Sequence, residues 1–137
     1  MDRVAAVDDV LTTIEAFGAA LRAQDPTAAE TVWSLDRADV AILGSASGER
    51  FIGPDAVRAC LTALTSRPTS HDWRWVDRRI SVVGDVAWFV ADAPWQTVQP
   101  DGSVTERPYR VTGVLVHDEG GWRWCQYHGS EPLGSIG

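Results

Sequence analysis

Apolar residues recur at three- and four-residue steps along the N-terminal segment. Val4, Val7, Leu11, Ile14, Phe17 and Leu21 fall on one side of a single long helix. Asp25-Pro26 reads as an N-cap followed by a first-turn proline, which opens a short second helix through Trp33. The run ADVAILG (38–44) is apolar and branched, as a strand requires, and GERFIG (48–53) reads as a short strand or turn. Pro54 starts a third helix with Val57, Cys60, Leu61 and Leu64 on one side, and Pro68 marks its end.

From His71 onward the period changes to two. Strands are predicted at about 71–83, 86–99, 105–118 and 121–131. Gly84-Asp85, Pro100-Asp101-Gly102 and Glu119-Gly120-Gly121 supply the turns between them. Helices first and hairpin-linked strands afterwards make an α+β domain, not a parallel βαβ fold. The 137 residues close one core and are too few for two, so 1–137 is a single domain with a short C-terminal tail over about 130–137. Three N-terminal helices are expected to cover the concave face of one strongly curved, mainly antiparallel sheet.

Charge and composition then exclude several function classes. A net charge of −7 offers nucleic acid phosphates no basic surface. The chain contains neither lysine nor asparagine, so Schiff-base chemistry and a lysine nucleophile are excluded, and a GC-rich source genome is hinted at. No stretch approaches the ~20 apolar residues of a membrane span. The opening MDRVAAVDDV lacks the basic-then-apolar pattern of a leader, and the expected location is the cytoplasm. Cys60 and Cys125 are far apart and read as two reduced thiols. His71, His117 and His128 have no metal-ligand spacing, and neither a metal nor a cofactor is expected. His128 and Ser130 share a strand face, but no nucleophile elbow or matching acid completes a hydrolytic triad.

Four segments, AFGAALRAQDPTAAETVW (16–33), GERFIGPDAVRACL (48–61), ISVVGDVAWFVAD (80–92) and YRVTGVLVHDEGGWRWCQYHGSEP (109–132), carry a resemblance. In order and spacing the chain resembles the nuclear-transport-factor-2-like superfamily, best its SnoaL-like and ketosteroid-isomerase-like branch. The resemblance implies a cone-shaped α+β barrel with a pocket under the helices. Pocket positions of charged members match Val90, Gly113 and Gly129. With alternation, this implies an inward set of Trp88, Val90 and Asp92; Tyr109, Val111, Gly113 and Leu115; and Cys125, Tyr127 and Gly129. A bulge in any strand would flip part of that assignment.

Asp92 is the one acid of this set, among apolar neighbours that would raise its pKa, and is the candidate general acid or base. The competing reading is a structural aspartate. Phe17, Trp33, Trp88, Val90, Tyr109 and Tyr127 are candidate binding residues, and Gly113 and Gly129 would leave room for a flat guest. In ketosteroid isomerase the base aligns with Gly44 here, the oxyanion tyrosine near Phe17 and the oxyanion aspartate near Gly113, so that activity is not expected. The pocket arginines of the calmodulin-dependent kinase association domain are absent too, which argues against small carboxylate ligands. Two classes stay open. One is a cofactor-independent isomerase, cyclase or lyase acting on a small apolar molecule, up to a polycyclic one. The other is a non-catalytic binding or association domain. Val114, Val116, Trp122, Trp124 and His128 would form the outer face of a homodimer.

Overall fold

The computed structural model describes residues 2–134. Helix α1 (Arg3–Arg22) begins where the Asp2 carboxylate accepts a hydrogen bond from the Val4 N–H. Its buried edge is Ala6, Val10, Ile14, Phe17 and Leu21, while Val4 is left exposed. Asp25 caps α2 (Pro26–Thr31) in the same way, accepting from the Ala28 N–H, with Pro26 in the first turn. Helix α3 (Pro54–Thr65) follows Gly53, whose positive φ of 92° suits glycine, and buries Val57, Cys60 and Leu61. Among the described residues no helix is long and apolar enough to cross a membrane.

The strands are β1 (Ala41–Leu43), β2 (Arg50–Ile52), β3 (Ser70–Trp73), β4 (Val76–Val83), β5 (Val86–Asp92), β6 (Trp95–Val98), β7 (Val104–Arg107), β8 (Arg110–Asp118) and β9 (Gly121–Ser130). Three of the expected long strands are therefore broken in the middle. Pro94 and Pro108 mark two of the breaks, since proline donates no ladder hydrogen bond. The pieces sort into two sheets, a six-stranded one of order β2-β1-β9-β8-β5-β4 and a three-stranded one of order β3-β6-β7. Every strand pair is antiparallel except β1 with β9, which run parallel. The large sheet keeps β2 and β4 as free edges, so it is neither closed nor strongly curled, and the expected cone-shaped barrel is corrected to an open mixed sheet under helices. The expected tail starts only after β9 ends at Ser130; its residues 135–137 lie outside the described residues.

The core forms where α1 meets β9. Phe17 packs edge-on against Trp33, Trp124 and Tyr127 and tilted against Trp73, with ring centroids 5.0–6.4 Å away. Trp33 and Trp124 stack at 5.9 Å. Backbone bonds lock that stack: Trp124 N–H donates to the Val32 carbonyl at 2.8 Å, and Ser34 N–H donates to the Trp124 carbonyl at 2.9 Å.

This burial removes two tryptophans from the expected outward set. Trp122 and Trp124 are 6% and 0% exposed, so they belong to the core and not to an outer dimer face. A bulge is the cause. Val114 lies opposite Gln126 but Leu115 lies opposite Trp124, which leaves Cys125 as an extra residue in β9 and reverses the phase before it. Cys125, expected inside, is half-buried. Trp124→Ala should lower stability by about 3–5 kcal/mol, as large core truncations do. Val4→Ala should change it by less than ~0.5 kcal/mol. Urea denaturation of the two variants checks both, and equal midpoints would contradict this core.

Candidate active site

Beside the aromatic core, a cavity of about 170 Å³ opens between α1, the end of α3, the β1–β2 turn and the small sheet. Its aromatic walls are Phe17, Phe51, Trp73, Trp95, Tyr109 and Tyr127. Ile42, Cys60, Ala63 and Leu64 add apolar surface. The polar groups Ser45, Glu49, Arg67 and Arg107 also line it, and all four residues are exposed, so charge sits toward solvent and the interior is neutral.

The phenol of Tyr127 accepts a hydrogen bond from Trp73 Nε1 at 3.2 Å. Burial, then the neighbouring Tyr109, push its pKa well above the ordinary range, so it stays protonated and can donate. The Cys60 thiol is pushed up to about 11 by burial and by Glu49, with Arg67 opposing, so it is not a thiolate nucleophile at neutral pH. Glu49 belongs to the turn between β1 and β2 and folds back over Gly44. A Cβ on Gly44 would meet the Glu49 Cβ and Cδ at 2.8 Å and its Oε1 at 2.9 Å. The same Oε1 accepts from the Ala46 N–H at 2.8 Å, which holds the carboxylate in place.

Of the binding candidates, Phe17, Tyr109 and Tyr127 line the cavity. Trp33 lies behind Phe17 in the core. Gly113 and Gly129 do not leave room for a guest. A side chain at 113 would strike the rings of Phe89 and Trp124, and one at 129 would strike the ring of Tyr109. These glycines seat aromatic rings.

Trp88, Val90 and Asp92 lie on the opposite face of the sheet, a correction of one residue in phase. In β5 the buried residues are Ala87, Phe89 and Ala91. They stand directly opposite Leu115, Gly113 and Val111, the correctly assigned inner set of β8, and paired residues share a face. The Asp92 side chain is 60% exposed, with Oδ1 3.6 Å from Arg110 Nε, and does not reach the cavity.

Glu49, Arg67, Arg107, Trp73 and Trp95 also line the cavity and are not among the residues the sequence pattern marks. The one local signal was an acid in the GERFIG segment, five residues beyond Gly44. The arginines carried none, because they sit at the ends of α3 and β7, far apart in sequence.

Behind the cavity wall, His71 stacks on Trp95 at 4.8 Å and lies 3.4 Å from the hydroxyls of Thr69 and Thr97. Burial first, then the charges of Arg67 and Arg107, lower its pKa from the ordinary 6.5.

Three helices over a mainly antiparallel mixed sheet, with an aromatic cavity between, are shared with the nuclear-transport-factor-2-like class. The SnoaL-like domain family matches residues 10–134, and the chain belongs to that family. A candidate dehydratase of the NTF2-like family from Streptomyces avermitilis superposes with a TM-score of 0.85 at 19% identity, covering 97% of this chain and 100% of that one. An NTF2-like superfamily protein from Salmonella enterica serovar Typhimurium gives 0.82 at 16% identity, covering 99% and 98%. A candidate aromatic ring hydroxylase from Novosphingobium aromaticivorans gives 0.79 at 18% identity, covering 97% and 93%. No curated protein matches the chain. At such identities the likeness concerns the fold alone.

Because the folded pKa of His71 is depressed, the unfolded chain takes up the proton first on acidification. Its stabilising contribution is present above about pH 6.5 and is lost as the pH falls below it. The carboxyl of neighbouring Asp72, raised by burial, works in the opposite direction, so the comparison needs a variant. Between about pH 7.5 and about pH 5.5 the wild type should lose more stability than His71→Gln in urea titrations. Parallel losses would exclude a neutral buried His71.

Proposed function

We propose that the cavity is the active site of an acid/base enzyme acting on a molecule of about one ring, with Glu49 as the general base and Tyr127 as the hydrogen-bond donor to the substrate's oxygen. The observation that carries this reading is the Glu49 carboxyl group packed over Gly44. Gly44 is the position at which the resembling isomerase carries its base, and a carboxylate reaches the same space from across the turn. The Tyr127 phenol, held neutral by burial, is suited to stabilise negative charge developing on oxygen. Base and donor line one cavity, as proton removal beside a carbonyl requires.

Size narrows the substrate. An apolar cavity of about 150 Å³ holds one benzene, and the 170 Å³ here favours one ring over the polycyclic guest first expected. Isomerisation needs a base that removes and returns the proton and a donor to the substrate's oxygen, and dehydration also needs a proton delivered to the departing hydroxyl. The likeness to a candidate dehydratase is compatible with either.

Proton abstraction can be followed without knowing the natural substrate, as hydrogen–deuterium exchange at C6, the saturated carbon beside the carbonyl of 2-cyclohexenone, read by NMR. The wild type should accelerate exchange. Glu49→Gln should lose ~10²–10⁴-fold of that acceleration, the usual weight of one acid/base group. Asp92→Asn should keep it. Exchange that survives in Glu49→Gln and fails in Asp92→Asn would return the role to Asp92.

A second reading, association as a homodimer, is favoured by the outer face of the large sheet. Val86 lies opposite Val116, Trp88 opposite Val114 and Val90 opposite Thr112, and Val86, Trp88 and Val90 are 40%, 46% and 49% exposed. Val114 and Val116 share this side of the sheet with their partners Trp88 and Val86, and His128 lies opposite Thr112. Two copies of so apolar a surface can cover each other about a two-fold axis, independently of catalysis. Sedimentation should give a dimer at micromolar concentration and a monomer for Trp88→Asp. A monomeric wild type would end this reading.

A further inference from the structure

We propose that the guest of the cavity is an anion, a single planar ring bearing one carboxylate, with the ring among Trp73, Trp95 and Tyr109 and the carboxylate at Arg67 and Arg107. This deepens the reading of the cavity as a small-molecule site and rests on it. The pocket arginines of the kinase-type association domain are absent from this chain, yet Arg67 and Arg107 line one cavity from unrelated elements, one just past the end of α3 and one at the end of β7. Arg67 is held at its backbone: the Gln24 side-chain amide donates to the Arg67 carbonyl. Among the described residues its guanidinium has no carboxylate partner. Arg107 is partly committed, with Nη2 2.8 Å from Glu131 Oε1. Arg67 is therefore the principal anchor and Arg107 the auxiliary.

Arg67 and Arg107 both line the cavity, and after burial both add to the lowering of the His71 pKa behind its wall. Glu49 lies on the β1–β2 turn with its Oε1 engaged by the Ala46 N–H, and among the described residues it forms no ion pair with Arg67 or Arg107. The net charge of −7 does not prevent anion binding, because distant charges are screened beyond ~8 Å at physiological salt while groups in contact are not. Carboxylate fits better than a neutral oxygen because a guanidinium offers it two parallel N–H donors.

The test compares benzoate with its near-isostere benzamide, titrated into the full chain at low salt and followed by calorimetry. Benzoate should bind on the order of tenfold more tightly. Arg67→Gln should remove that preference, Arg107→Gln should reduce it, and Arg67→Lys should fall between, with benzamide affinity and thermal midpoints unchanged throughout. Added salt should weaken benzoate alone. Equal affinity for the two probes, benzoate binding that survives Arg67→Gln, or no binding of either would overturn the proposal. Glu49→Gln should retain benzoate. Retained benzoate preference together with absent proton exchange would sink the acid/base reading and uphold the anionic guest.

Discussion

Phe17 holds the structure together and shapes the site at the same time. From the middle of α1 its ring meets Trp33, Trp73, Trp124 and Tyr127, which come from the segment after α2, from β3 and from two positions of β9. Removing that much aromatic surface from water drives the helix onto the sheet. Phe17, Trp73 and Tyr127 also form walls of the cavity, so the same rings close the core on one side and bound the cavity on the other. The two glycines opposite them are part of this arrangement. Gly113 admits the rings of Phe89 and Trp124 and Gly129 admits Tyr109, which no larger residue would allow without displacement.

The polar groups follow from the cost of burying charge. A full charge on the cavity floor would lose its hydration without repayment. The floor is instead built from a phenol and a thiol that burial keeps protonated, and the carboxylate and guanidinium groups stay exposed at the rim. A guest that fills the cavity would exclude water from between these layers and strengthen every contact across it. Placing the acid on a turn and the cations at element ends leaves the strands free to carry apolar side chains.

Backbone likeness at under 20% identity to proteins with different names is the usual condition of this kind of fold, whose sites are grafted onto a shared frame. Gly44, just past the end of β1, carries no side chain, and the Glu49 side chain from across the turn packs over it.

What the sequence determined by itself was local. Caps at Asp2 and Asp25, first-turn prolines at 26 and 54, and apolar spacing near 3.6 specify the helices through their own hydrogen bonds and side-chain stripes. Turn glycines and a change to period two specify hairpins, hence the α+β class. In β5 the strand phase is legible in principle, yet the expected inward set lies one residue from the buried one. Both faces of β5 are apolar, yet the charge of Asp92 runs in step with Trp88 and Val90, while the inner set of Ala87, Phe89 and Ala91 carries none. The bulge at Cys125 had no local mark, because it arises only when β9 must satisfy β8 and the Val32–Ser34 segment together. The site was less legible still. Glu49, Arg67 and Arg107 lie on separate elements, and they converge only once β1 pairs in parallel with β9 and α3 packs beside them. Tertiary structure alone decided that convergence, because long-range pairing, not local propensity, determines which side chains share a cavity.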